Sequence, residues 1–355
     1  MRNLKRALSL ALAAIMLVGM MVVSASAAGF DDFSDKDEIV NKDAVSMLVS
    51  LGIIEGKPDG SYAPTENVDR AQMAKMLSVI MNKGVDNSAL YQSVNSGLTD
   101  ITSNWAKGHI NYCYTTGIIA GRGNGKFDPS ATVTALEAAK MLLVAVGYDP
   151  KIEGFEGADW AINVSVRADE QGIFEGFTKD LSAPLNRDDA ALLIYNALDV
   201  EMIQSYTTNN YPIAYSDHRT ILADKYGVIK VQGVVVANEW ASLASDDGDA
   251  ALKEGKTTIY NGEGIFSTTG NTTVSKEDAS LKTQTFNVST PVDMLGKTVN
   301  LYIKKTTILA DSTVYGDPVV SDVNTVVTTG ETVLYSGAKD PQVDYDKLLG
   351  ENGLT

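Results

Sequence analysis

Cysteine occurs once in 355 residues, at Cys113, so no intramolecular disulfide can brace the chain. Its neighbours form an apolar helical stretch, and the thiol reads as packing. Histidine is nearly as scarce, with His109 and His218 only. His218 has no serine-nucleophile elbow and no second metal ligand at useful spacing, which leaves it a solvated surface residue. His109 and Cys113 stand at i and i+4, but on a core-facing helix such a pair reads as packing before metal binding. Basic side chains are in deficit, 29 against 45 acidic, for a formal charge of −16. That excludes nucleic acid and anionic lipid as general partners. An anionic ligand would need local cations acting against the overall field, which salt screens beyond about 8 Å. Carboxylate pairs are so abundant that they carry no evidence of glycosidase chemistry. Asp246-Asp-Gly-Asp249 lacks the alternation and terminal Glu of a calcium loop. No catalytic residue, cofactor or metal site is predicted, and the chain reads as a non-enzyme.

Past one N-terminal segment, no stretch reaches the roughly 18 apolar residues of a membrane span. That segment has Arg2, Lys5 and Arg6, an apolar run from Ala7 to Val23, and the small-residue exit Ala25-Ser-Ala27. It reads as a secretory signal over 1–28, whose removal takes the formal charge to −19 and leaves no membrane segment.

What is present is repetition. Leu51-Gly-Ile-Ile-Glu-Gly56 returns as Thr116-Gly-Ile-Ile-Ala-Gly121 and as Gln171-Gly-Ile-Phe-Glu-Gly176. A proline follows each first glycine by twelve residues, at Pro64, Pro129 and Pro184, and Asp35 and Asp100 precede the first two by seventeen. Each copy predicts a helix ended by its first glycine, a turn, and a second amphipathic helix. In module three, the stretch from proline to second helix reads as three residues shorter. Two such helices cannot bury both faces alone, so the modules are expected to pack on one another in a pseudo-three-fold domain.

The second helices begin Asp69-Arg-Ala-Gln72, Thr134-Ala-Leu-Glu137 and Asn186-Arg-Asp-Asp189, with good N-caps and, in the first two, capping-box residues. Capping leaves Arg70 and Arg187 unexplained, because each puts a cation where the helix dipole disfavours one. An anion at such a helix start would meet free backbone N–H groups and a bidentate guanidinium together.

These residues resemble the S-layer homology family over about 30–204. Module two carries Leu98-Thr-Asp100, Trp105-Ala106, Gly117-Ile-Ile-Ala-Gly121, Gly125-Lys-Phe127, Pro129 and Val133-Thr-Ala-Leu-Glu137. Module one has Phe33-Ser-Asp35, Asp59-Gly60 and Val68-Asp-Arg-Ala-Gln72, and module three has Trp160-Ala161 and Asn186-Arg187. The resemblance implies an all-α three-pronged domain whose grooves hold the secondary cell-wall polysaccharide attached to peptidoglycan, often through a pyruvylated, anionic sugar. It assigns ligand-binding roles to Arg70, Arg187, Asp35, Asp100, Trp105, Trp160, Gly56, Gly121 and Gly176, with the two arginines as the family's functional cations. Three departures stand out: Ala135 in the arginine position of module two, Val40 in the tryptophan position of module one, and Phe155 for the opening Asp of module three. One or two competent sites are therefore expected, with Arg122 or Lys126 as replacements for the guanidinium lost at Ala135.

From about Ser205 the texture turns to alternating Val, Thr and Tyr. Val228–Val236, Thr298–Ile303, Thr325–Thr328 and Thr332–Tyr335 read as strands of a β-barrel or sandwich, with a short helix over Asp217–Lys225. The expected organisation is multi-domain: signal 1–28, repeats 30–84, 98–149 and 155–204, linker 205–227, and a β-rich domain over 228–355. The function expected is non-covalent anchoring of a secreted S-layer or surface-structural protein to the cell wall, with self-association in a surface array as a further partner mode. The alternative is an anchored enzyme or adhesin whose active part lies in the β region or beyond residue 355.

Overall fold

The computed structural model describes residues 29–243, 251–262, 265, 267–269, 282–304 and 312–321. The signal segment, Asp246–Asp249, Thr325–Thr328 and Thr332–Tyr335 lie outside the described residues. Six helices form the N-terminal body: α1 (Lys42–Ser50), α2 (Arg70–Met81), α3 (Lys107–Thr115), α4 (Ala135–Val146), α5 (Trp160–Glu170) and α6 (Arg187–Leu198). They pair as α1/α2, α3/α4 and α5/α6 in sequence but not in space. Helix α2 packs on α3, α4 on α5, and α6 returns to pack on α1, while α4 touches α2 and α6 at the centre. Each prong thus joins the second helix of one module to the first helix of the next, and the set closes on itself.

The repeated glycine closes each first helix in the same way. Gly52, Gly117 and Gly172 have φ of 69°, 80° and 69°. The following amides, of Ile53, Ile118 and Ile173, reach back to Leu48, Cys113 and Ala168 carbonyls at 2.9, 2.9 and 2.8 Å. This is a Schellman closure, and it turns a buried isoleucine inward each time. The chain then reaches the axis of the body. There Val68 N–H donates to Leu185 O (2.8 Å), Leu185 N–H to Val133 O (2.8 Å) and Val133 N–H to Val68 O (2.9 Å). These three buried residues form a closed ring of backbone hydrogen bonds, one from each module.

The ring corrects the register of module three. Ala71 N–H donates to Pro129 O and Asp188 N–H to Pro64 O, whereas Leu136 N–H donates to Leu181 O. Leu181, not Pro184, is therefore the counterpart of Pro64 and Pro129. Pro184 bridges to Thr134 as Thr132 does to Asp69 and Asn67 to Asn186. The missing three residues precede the turn, and the shared twelve-residue spacing at Pro184 is a coincidence.

The range 205–227, expected as a linker, holds much of a hairpin, β1 (Ile203–Tyr206) with β2 (Pro212–Ala214), and a short π-helical turn over Leu222–Tyr226. Beyond it lie β3 (Val228–Asn238), β4 (Thr257–Tyr260), β5 (Ser267–Thr269), β6 (Thr283–Phe286), β7 (Thr298–Lys304) and β8 (Thr313–Val320). Among the described residues they form one antiparallel sheet ordered β6-β4-β3-β7-β8, with β5 also pairing β3. Neither a closed barrel nor a second facing sheet is present among those residues. The helical body meets the sheet at one end. Ile229, Val231, Val235, Val299, Leu301 and Ile303 build one apolar cluster, while Val228 and Tyr302 belong to the core of the helical body. Strand β8 runs against α1, where Ser46 Oγ donates to Asp317 Oδ2 at 3.3 Å, and Lys230 pairs with Asp199.

Candidate functional site

Closure of the prongs creates two grooves with matching walls. The wider, a cavity of about 510 Å³, is lined by Arg70 from module one, Gly121, Arg122 and Lys140 from module two, and Phe155 and Trp160 from module three. The narrower, about 200 Å³, is lined by Arg187 from module three, Gly56, Lys57 and Lys75 from module one, and Trp105 from module two. Each groove draws on all three modules. An arginine at a helix start therefore serves the groove of the next module, not its own.

The arginines are held differently from the sequence expectation. Arg70 N–H donates to Ala131 O (2.9 Å) and Arg187 N–H to Glu66 O (2.9 Å), and the caps Asp69 and Asn186 accept from the third helical residue. The first-turn N–H groups are thus consumed by the neighbouring module, and the helix start is no anion hole. The guanidinium sits further out. Arg70 Nε donates to Phe127 O at 2.9 Å and its Nη2 to Ala120 O at 2.8 Å, over the Phe127 ring at 4.4 Å. Arg187 repeats this on Tyr62 O (2.8 Å) and Glu55 O (3.1 Å), with the Tyr62 ring at 4.8 Å. One edge of each fork is a brace between modules, and the remaining donors face the groove. Burial, and then the nearby Arg122, push the Arg70 guanidinium down to about 10, so it stays charged at neutral pH. Neither arginine has a carboxylate in ion-pair contact among the described residues, while Arg122 pairs with Glu137 at 2.8 Å and Lys75 with Glu55 at 3.3 Å.

The other expected residues divide. Trp105 is 57 % exposed along the narrower groove, and Trp160 stands 5.6 Å from the Lys140 ammonium in the wider one. Gly56 and Gly121 line the grooves because their backbones lie too close for a side chain. A Cβ would come within 2.6 Å of Phe33 at Gly56 and 2.8 Å of Lys126 O at Gly121. Asp35 and Asp100 line neither groove. Asp35 accepts the Tyr62 and Ala63 amides at 2.7 and 2.8 Å, and Asp100 those of Phe127 and Asp128 at 2.9 and 2.8 Å. They brace turns in which Ala63 and Asp128 adopt positive φ, 56° and 62°. Gly176 also lines neither groove; it takes φ of 75° beside Leu192, in the loop whose bracing Asp is replaced by Phe155.

The place of Ala135 also needs correction. By the cyclic order, its missing guanidinium belongs to the groove of module three, so neither Arg122 nor Lys126 replaces it. Arg122 lies in the wider groove beside Arg70. The third position combines Ala135, Phe177 at the Lys57/Arg122 position, Leu192 at the Lys75/Lys140 position, and Val40 for the tryptophan, 82 % exposed. Lys75 and Lys140 were not singled out in sequence, although each stands five residues after the helix-start position.

His109 lies under the narrower groove, 3 % exposed, with Nδ1 at 2.6 Å from Ser78 Oγ, Nε2 at 3.6 Å from Asp86 Oδ2, and its ring edge-on to Trp105. Cys113 Sγ faces Ala74 O at 3.4 Å, so the two do not form a metal pair. Burial pushes the imidazole below its usual value, with Asp86 pulling the other way. An unfolded His109 then takes up a proton before the folded one does. Stability associated with it is full above about pH 6.5 and falls as pH drops toward the folded value. Between about pH 7.5 and 5.5, the urea midpoint should fall more for the native chain than for His109→Gln.

The comparisons with known proteins enter at this geometry. The model of the S-layer homology domain matches residues 32–74 and 97–139, which contain Arg70, Asp35, Gly56, Asp100, Trp105 and Gly121. The chain carries S-layer homology domains. Module three lies outside those two matches. The chain is 29 % identical over 273 residues to a cell surface protein of Thermoanaerobacter kivui, covering 76 % of this chain and 32 % of that protein. It is 33 % identical over 113 residues to an S-layer protein of Bacillus licheniformis (32 % and 12 %). It is also 30 % identical over 181 residues to an amylopullulanase of Thermoanaerobacterium thermosulfurigenes (47 % and 9 %). The chain spans about a third or less of the length of these curated relatives. With its S-layer homology domains and these relatives, it is a protein of the bacterial cell surface, anchored at the wall.

Proposed function

We propose that the chain holds a secreted protein on the cell wall by binding an anionic wall polysaccharide in its two inter-module grooves. The observation that carries this reading is the pairing, in each groove, of an arginine with no carboxylate in ion-pair contact among the described residues and a tryptophan from another module. In a chain of formal charge −16, a guanidinium with free donors facing a groove beside an indole is a local place where an anion is favoured. A sugar ring can lie on the indole while its carboxylate meets the guanidinium. The ligand is then the secondary cell-wall polysaccharide, with a pyruvylated sugar as the anionic unit. Module three is a diverged third copy, recognised by its Schellman closure and its link in the backbone ring, whose own groove has lost its cations and its tryptophan. The role is attachment without catalysis.

The amylopullulanase relative favours a second reading in one respect only. It shows that a segment like this one occurs within a protein named for an enzymatic activity, so the chain would serve equally as the anchoring part of an enzyme.

Co-sedimentation with purified walls tests the proposal. Trp105 is exposed, so Trp105→Ala should leave the unfolding midpoint nearly unchanged, yet weaken wall binding by about tenfold, as loss of a stacked aromatic anchor does. Trp160→Ala should weaken binding similarly through the other groove, with some loss of stability because Trp160 is partly buried against the core. Full retention of both variants on walls would refute the reading.

A further inference from the structure

His109 has no part in the groove chemistry described so far, and packing does not require it. The same position on α5, four residues after Trp160, is Val164, buried completely. The surroundings of the imidazole act on its charged form in both directions, burial opposing it and the Asp86 carboxylate favouring it. Ser78 Oγ lies 2.9 Å from Lys75 O, so the hydroxyl proton can go to that carbonyl while its oxygen accepts from His109 Nδ1. The other nitrogen faces the Asp86 carboxylate. In that arrangement Nδ1–H donates to Ser78 Oγ, and a second proton, on Nε2, would face the Asp86 carboxylate at 3.6 Å. Helix α2 supplies Ser78 and Lys75, the segment after α2 supplies Asp86, and Trp105, just ahead of α3, sets its ring edge-on to the imidazole.

We propose that His109 is a positioning residue that makes the narrower groove bind its anion more tightly at acidic pH, while the wider groove does not respond. This rests on the anion-binding reading of both grooves. The coupling is electrostatic. Lys75 lines the narrower groove and opposes protonation of His109, as a neighbouring cation must. Lys75 already pairs with Glu55, and an anion entering that groove adds its own negative charge near the imidazole and favours the charged form. Binding and proton uptake therefore favour each other, and by reciprocity a bound anion raises the pH at which His109 becomes charged.

The three tryptophans provide separate reporters: Trp105 in the narrower groove, Trp160 in the wider, and Trp240 in neither. Glucuronate, whose carboxylate stays ionised across the range, is titrated into the ¹⁵N-labelled full chain while the indole N–H signals are followed. Between about pH 7.5 and 5.5, the dissociation constant read at Trp105 should fall about three- to tenfold, the effect of one added charge near the site, while that at Trp160 changes less than about twofold. His109→Gln should remove the change at Trp105 and leave Trp160 as it was. Equal pH responses at Trp105 and Trp160, or a response retained in His109→Gln, would overturn the inference while leaving both grooves as anion sites. Silence of both indoles at either pH would instead overturn the groove reading, and this inference with it.

Discussion

A chain carrying both Trp105→Ala and Trp160→Ala is expected to come off polysaccharide-bearing walls altogether, with apparent affinity lowered by about 10²–10⁴. Each single change should cost far less. The grooves draw their walls from all three modules, so the ring of hydrogen bonds through Val68, Val133 and Leu185 holds them at a fixed separation. A polymer engaging one groove presents further units to the other at high effective concentration, and the second event adds avidity without new contacts. A single tryptophan change weakens one groove about tenfold and leaves part of that gain. Changing both multiplies the two losses and removes the gain as well. Sedimentation isotherms for the native chain, the two single variants and the double variant check this. If the double variant loses no more than either single one, only one groove binds.

The second large effect is on stability. Arg70→Ala should lower the free energy of unfolding by about 2–4 kcal/mol, because it leaves the Ala120 and Phe127 carbonyls unpaired and opens space over the Phe127 ring. Arg187→Ala should cost less, since its site is more open to water. Arg70→Lys cannot span both carbonyls and should recover only part of the loss. Chemical denaturation of the three variants gives the order. A stability unchanged in Arg70→Ala would mean that the brace between modules one and two is not formed. Binding measurements on Arg70→Ala alone would mix two losses, so the tryptophan variants are the cleaner probes of the grooves.

Much of the helical body was legible from local rules. The caps Asp69, Thr134 and Asn186 and the glycines Gly52, Gly117 and Gly172 act within a few residues of chain, where sequence carries the whole cause. The sites were legible in kind but not in assembly. Arg70 was visible as an anomaly at a helix start, but a linear reading gave it to its own module. Only cyclic closure of α6 on α1 shows that it crosses to the next. Asp35 and Asp100 have the spacing of ligand residues because they hold the turn that shapes a wall, and spacing cannot separate the two roles. Module three's true register at Leu181 was hidden by a proline at the familiar distance. In the β region, alternation marked β3 and β7 well, yet β3 joins the core of the helical body at Val228, and no local pattern announces that partner.

The most direct measurement is co-sedimentation of the full chain with one batch of walls divided in two, intact and stripped of their secondary polysaccharide. The chain should pellet with the intact walls and remain in solution with the stripped ones. Equal pelleting with both would place the contact on peptidoglycan itself and contradict the account.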